Sequence, residues 1–341
     1  RELDCDETTA IGAHDAELNA ALEAIDAERD GAQIDDDMLR LIFIACHPIL
    51  SAEARVALTL RLLGGLATDE IARAFLVPEP TVAQRIVRAK RTLAAAHVPF
   101  EVPSASERRA RLASVLEVIY LIFNEGYAAT AGDEWMRPAL CEDALRLGRM
   151  LAALVRDDSE VFGLVALMEI QASRLRARTT PAGDPVTLLE QDRSRWDGLL
   201  IARGLAALER AERCGGALGP YALQASIAAC HARARTPEAT DWIRIVALYD
   251  ALVELVPSPI VDLNRAVAVG MAYGPAAALE IIEALANEPA LENYALVHSA
   301  RGDILAKLGR YTEARRSFEH AAALTRNDRE RAFLLRRAHD G

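Results

Sequence analysis

Residues 68–93 read TDEIARAFLVPEPTVAQRIVRAKRTL, and the local fold can be argued from this stretch alone. Asp69 and Glu70 follow Thr68 where a helix dipole favours negative charge, so Thr68 reads as an N-cap and Asp69–Phe75 as a short helix. After Leu76-Val77-Pro78 the chain restarts at Glu79-Pro80, a proline being tolerated in a first helical turn. Val82, Ile86, Ala89 and Leu93 then recur at helical spacing. Two helices so spaced predict a helix-turn-helix: Ala72 is small where they cross, Val77 and Val82 fill the space between them, and Ile86 anchors the second. Leu76 stands where such a turn commonly has a glycine with positive φ. Either a bulky residue is strained there or the turn is altered, as Pro78 and Pro80 suggest.

Charge gives this corner a direction. Between Thr81 and His97 stand Arg85, Arg88, Lys90 and Arg91 and no acid. Gln84 and Arg88 are four apart and Arg85 and Arg88 three apart, so they share a helical face, with Thr81 and Gln84 near the N-terminal end that meets base edges. The stretch therefore predicts DNA contact through Thr81, Gln84, Arg85, Arg88, Lys90 and Arg91; the plainer alternative is a solvated amphipathic helix. Whether Lys90 and Arg91 face DNA or the adjoining helical block is left open by spacing. Four phosphate contacts correspond to a salt slope of roughly −3.6 and about a hundredfold loss of affinity between 50 and 200 mM salt. That is weak for a free binder and adequate for one tethered to a larger machine.

The whole chain has 341 residues, enough for two or three folded units. Its 52% hydrophobic and 26% charged residues fit a globular protein, and the longest apolar stretches, such as residues 41–46, fall far short of the ~20 needed to cross a bilayer. No membrane association is expected. Five scattered cysteines and no recognisable secretory leader suggest a reducing cytoplasm. Against 19 glycines there are 66 alanines, and aromatic residues are 5%, a balance that favours helices over strands. The net charge of −11 resides in residues 1–37, where thirteen acids face only Arg1 and Arg29. The remainder is neutral, so the acidity excludes no nucleic-acid site elsewhere. Arginine at position 1 suggests a piece of a longer protein.

Outward from the corner, residues 1–37 read as an acidic linker with a short helix at Ala16–Ala27, and 38–98 as the helix-turn-helix domain. Within it Met38, Leu41, Ile42 and Ala45 share a face, and Ser51 is placed to cap Ala52–Leu63 before Gly64-Gly65. Residues 99–215 read as a central helical domain. There Leu112, Val115, Leu116, Ile119, Tyr120 and Phe123 form a broad apolar stripe, and further helices are expected at Pro138–Val155, Ser159–Thr179 and Asp192–Arg213. Residues 216–341 read as helix pairs: Tyr249, Ile282 and Phe318 are spaced by 33 and 36 residues. That is close to the 34-residue tetratricopeptide period. The last unit, with Gly302, Gly309, Ala314, Phe318 and Ala321, is the clearest.

Several runs resemble region 4 of the extracytoplasmic-function class of bacterial sigma-70 factors. Leu50-Ser51-Ala52-Glu53-Ala54-Arg55-Val56-Ala57-Leu58 is similar to its core-binding helix, and Thr68-Asp69-Glu70-Ile71-Ala72 with residues 81–91 to its promoter-reading helices. The resemblance implies that residues 51–63, with Arg55, Leu58 and Leu62, dock on the β flap of the RNA polymerase core, while the second helix meets the −35 promoter element. Residues 114–127, SVLEVIYLIFNEGY, and Asp192-Arg193-Ser194-Arg195-Trp196-Asp197 with Ile201 look like signatures of the subgroup carrying a long tetratricopeptide-like extension. Nothing resembles region 2, so the chain alone is not expected to initiate transcription.

Other chemistry is poorly supported. Cys46-His47 and Cys230-His231 lack zinc-type spacing and read as structural thiols. Asp133 or Glu134 with Glu142 or Asp143, or Asp192 with Asp197 around Trp196, would suit acid–base work, yet no nucleophile motif or phosphate loop accompanies them. Asp192, Ser194, Trp196, Asp197 and Ile201 are read either as structural, with Trp196 buried and Asp192 or Ser194 capping the following helix, or as a regulatory contact. The repeats either hold a protein or peptide partner or simply pack. The expectation is thus an all-α, non-enzymatic protein with no cofactor or metal: a promoter-binding helix-turn-helix with a helical extension that regulates it in cis or recruits a partner. The alternative is a tetratricopeptide scaffold that binds no DNA.

Overall fold

A computed structural model describes residues 31–75, 77–215, 217–285 and 288–340. The expected helix at Ala16–Ala27 and the Leu76 turn position lie outside the described residues. The fold is all-α: helices dominate, and the only paired strands among the described residues are two residues long. By packing, the chain divides into two compact units, Arg1–Gly126 with Ala139–Arg156, and Tyr127–Pro138 with Asp157–Gly341. The expected central domain at 99–215 is therefore split between the two units.

In the first unit, α1 (Gly31–Ala45) begins earlier than its apolar run suggests and buries Leu41, Ile42, Phe43, Ile44 and Ala45 on consecutive positions. Burying each of the large ones stabilises the unit by about 1.5–3 kcal/mol. Ser51 caps α2 (Ala52–Leu62), its hydroxyl accepting from the Ala54 amide at 3.3 Å. The next start differs from expectation. Thr68 lies inside α3 (Thr68–Phe75), and the orphan amide of Ala67 is satisfied at 2.7 Å by Glu70, which reaches back as a capping-box acid does. α4 (Glu79–Ala95) follows with Pro80 in its first turn and buries Val82, Ala89 and Leu93. It ends on His97 at φ 47°, a left-handed residue doing the work usually given to glycine, with the Val98 amide bonded to Leu93 O at 3.1 Å. Two long helices complete the unit, α5 (Ala105–Tyr127) and α6 (Pro138–Leu154). A Cβ on Gly126 would stand 2.7 Å from the Cys141 amide nitrogen, so the two backbones meet where only glycine fits.

The second unit begins at Tyr127, the last residue of α5, and the loop at 128–137 that follows carries β1 (Ala131–Gly132). Then come α7 (Ser159–Ala172), buried almost all round, α8 (Gly198–Arg213) and α9 (Pro220–Arg233). Both α7 and α8 are shorter than expected. The chain leaves α7 through a 3-10 turn at Leu175–Ala177, and the Asp197 carboxylate starts α8 by accepting from the Leu199 and Leu200 amides at 2.9 and 3.1 Å. Antiparallel pairs follow: α10 (Trp242–Leu255), α11 (Pro259–Tyr273), α12 (Pro275–Leu285), α13 (Ala295–Lys307), α14 (Tyr311–Leu324) and, after β2 (Arg326–Asn327), α15 (Asp328–Asp340). In the last repeat the Phe318 ring lies 2.8 Å from where a Gly302 Cβ would be, which is the small-against-large contact expected of two packed helices. Ile282 and Phe318 are buried, and Tyr249 is half-buried. β1 and β2 pair in parallel, Ala131 with Arg326 and Gly132 with Asn327, a link that periodicity does not announce.

Candidate nucleic-acid interface

The helix-turn-helix corner is α3 and α4, supported by α2. At about 100° per residue, Val82, Ile86, Ala89 and Leu93 span about 60° of α4 and point inward. Gln84, Arg88 and Arg91 span about 60° on the opposite side. All three are exposed, and none has an ion pair or side-chain hydrogen bond among the described residues. The stripe runs about 10 Å along the axis, short enough for a major groove. Thr81 and Arg85, both half-buried, flank it on the side of α2. Lys90 does not join them: it sits half-buried on the other flank, about 140° from Arg85, with a partner of its own.

Arg85 has an acidic neighbour. The Glu53 carboxyl is held below its ordinary range by its own backbone amide and the Ser51 hydroxyl, with the charges of Arg85 and Arg55 adding to this. The outward stripe of Gln84, Arg88 and Arg91 stays unneutralised.

The face of α2 assigned to polymerase needs correcting. Leu58 is fully buried, so it is a core residue and offers nothing to a partner. Arg55 donates to Ser114 Oγ at 2.5 Å and to Glu117 Oε2 at 2.8 Å, its side chain 11% exposed, which commits it to α5. Leu62 is half-buried and only partly available. Four more bonds bind the helix-turn-helix to the helices after it. Arg111 donates to Phe43 O at 3.0 Å, Ser114 to Cys46 O at 2.6 Å, and Arg146 of α6 to Leu63 O and Gly64 O at 3.1 and 3.0 Å. Nothing in the periodicity of Ser114 or Arg146 pointed to this role.

In the second unit the Asp192–Ile201 motif forms a turn. Asp192 caps a 3-10 turn at Arg193–Arg195, accepting from the Ser194 amide at 2.9 Å and its hydroxyl at 2.7 Å, and those bonds lower its pKa. Trp196 is buried, as expected, and Ile201 is half-buried on α8. The helix cap is Asp197, where Asp192 or Ser194 was expected. Asp192 and Asp197 are thus both engaged by backbone amides. The Cys46 thiol, beside Thr59 at 3.3 Å, is pushed up to about 12 by burial, and burial also raises Cys230. Among the described residues no three His, Cys, Asp or Glu side chains gather as metal ligands would, and no helix is long and apolar enough to cross a membrane.

Residues 40–93 match sigma-70 region 4, residues 295–328 match the tetratricopeptide repeat, and residues 111–212 match a family of unknown function, DUF6596. The chain is also 48% identical over 305 residues to an uncharacterized protein of Rhizobium meliloti, an alignment covering 89% of this chain and 71% of that protein.

Proposed function

Since the chain belongs to the same family as that Rhizobium meliloti protein and carries a sigma-70 region 4 helix-turn-helix followed by tetratricopeptide-like helices, we propose that it acts in transcription initiation. In this reading it is a cytoplasmic, non-enzymatic factor of the extracytoplasmic-function type. α4 enters the major groove of the −35 promoter element, and region 4 engages the polymerase core. The observation that carries the reading is the stripe of Gln84, Arg88 and Arg91, exposed and unneutralised on the outer face of a helix whose inner face is locked into the corner. Arg88 and Gln84 suit base edges and Arg91 a phosphate, Arg85 adds a flanking phosphate contact, and Lys90 contributes least.

The extension has a direct mechanical hold on region 4. With Arg55 and Leu58 taken up internally, contact with the core falls to Leu62 and the exposed rim of α2, and the grip of α5 and α6 governs how that rim is presented. The tetratricopeptide-like helices supply a surface for a protein partner, and this arrangement favours regulation in cis over a scaffold without DNA binding.

Electrophoretic mobility shifts on promoter DNA test the assignment. Arg88→Ala should cost about 1–3 kcal/mol and relax specificity at one position, and Arg91→Ala should weaken all sequences alike, with a salt slope lower by about one. Lys90→Ala should have the smallest effect. Equal binding by the parent, Arg88→Ala and Arg91→Ala would remove α4 from the interface.

A further inference from the structure

Three arginines lie close together inside the second unit, and their partners differ. Arg193 is answered at its terminal nitrogens, although its Nε has no partner: the guanidinium donates to His231 O at 2.6 Å and to Ala234 O at 2.7 Å, and it lies 4.8 Å over the Trp196 ring. Arg174 and Arg178, which bracket the 3-10 turn at Leu175–Ala177, are each only 9% exposed, and the Nε of each has no partner. Arg178 stacks 3.6 Å from the centre of the Tyr127 ring and 5.7 Å from that of Trp135. Arg174 lies 5.8 Å from both Tyr127 and Trp196 and bonds to Tyr127. No carboxylate forms an ion pair with either among the described residues.

We propose that Arg174 and Arg178, walled by Tyr127, Trp135 and Trp196, form a recognition site for a small ligand bearing an oxyanion, a carboxylate or a phosphate. A buried cation is costly unless it is paired, and cation–π contacts return only part of that cost. Two neighbouring guanidiniums add mutual repulsion; burial, and then the charge of Arg178, lower the Arg174 pKa against the opposing effect of Tyr127. An oxyanion supplies the missing counter-charge and acceptors for the fork geometry that guanidinium groups offer. Burial also selects the size of the ligand. A nucleic-acid backbone reaches exposed cations such as Arg88, whereas side chains nine-tenths enclosed admit only a compact group.

The site is wired to the repeats. The loop at 128–137, which follows Tyr127 and carries Trp135, is tied to β2 by Asn327, which is fully buried and donates to Ala129 O and Glu134 O at 3.2 and 2.7 Å. Arg329 of α15 donates to Asp133 O of the same loop at 3.4 Å. A ligand that settles the aromatic wall thereby stiffens the junction with the last helices. This proposal does not depend on DNA binding.

The test titrates the full chain with sodium phosphate and, separately, sodium citrate at constant ionic strength, with chloride as reference. Melting temperature and tryptophan fluorescence are followed, since Trp135 and Trp196 line the site. Saturable stabilisation and a fluorescence change with either anion support the proposal, and the anion that acts identifies phosphate or carboxylate chemistry. Arg178→Met keeps the stacked stem and removes the charge, so it should weaken the response at least tenfold; Arg174→Met should do the same if it folds. Arg88→Met should respond as the parent does. Melting and fluorescence indistinguishable from chloride with both anions, or an undiminished response in Arg178→Met, would overturn the assignment.

Discussion

The chain uses arginine in two opposite settings. On α4 Arg88 and Arg91 stand in water with no ion pair or side-chain hydrogen bond among the described residues, where hydration supports the charge and the side chain costs the fold almost nothing. In the second unit Arg174, Arg178 and Arg193 are drawn among Tyr127, Trp135 and Trp196, and burial lowers the pKa of Arg174 and of Arg193. A missing partner therefore has two meanings. At the surface it leaves a charge ready for an extended polyanion, and in the interior it marks a deficit that a compact group must fill.

If the contrast holds, deleting an arginine should divide stability from binding. Arg193→Ala removes donors from His231 O and Ala234 O and a stacking partner from Trp196, and should lower unfolding free energy by about 3 kcal/mol. Arg88→Ala should stay within about 0.5 kcal/mol of the parent. Urea titrations of the two variants measure this directly, and comparable losses would erase the distinction between the two settings.

A smaller effect comes from the histidine among those cations. His231 is pushed down to about 4 by burial and then by the charges of Arg174 and Arg193, and its ring meets Trp242 edge-on at 5.1 Å. The unfolded chain takes up the proton more readily, so stability is intact above the ordinary histidine value and is lost as pH falls toward the folded one. By linkage the loss should reach about 2 kcal/mol at pH 5. His231→Gln should lessen the fall in urea midpoint between pH 7 and pH 5, the remainder being owed in part to His47, which burial also pushes down to about 4; an unchanged fall would mean that His231 does not contribute to it.

Some of this was open to inspection in the sequence. Val82, Ala89 and Leu93 mark the inner face of α4, and Pro80 its start, because buried side chains must repeat with the helix and proline is tolerated only in a first turn. Ser51 and the Gly302–Phe318 contact were legible for similar local reasons. The ends of α7 and α8 were not, since an apolar period runs on through a 3-10 turn without registering it. Nor was the fate of Arg55 and Leu58: a resemblance carries over roles but not packing, and Ser114 and Glu117 lie more than 55 residues further along the chain. The Asn327 tie to Ala129 spans 198 residues, beyond any local pattern. The flank on which Lys90 sits was not legible, because cations close together along the chain need not share a face around the helix.

The finest test concerns a place where an acid approaches the flank of the outer face. Glu53, exposed in the first turn of α2, and Arg85 of α4 feel each other's charge, so Arg85 approaches a phosphate only against that competition. An exposed pair of this kind is worth less than about 1 kcal/mol. Glu53→Gln should therefore raise DNA affinity two- to threefold, about 0.5 kcal/mol, at 50 mM salt, and the gain should shrink as ionic strength rises. The loss in Arg88→Ala, arising from a base contact, should keep most of its size over the same range. Combining Glu53→Gln with Arg85→Ala separates the sources, because the gain should vanish once its recipient is gone. A gain that survives Arg85→Ala would instead report general repulsion between Glu53 and DNA, and the contacting set would contract to Gln84, Arg88 and Arg91.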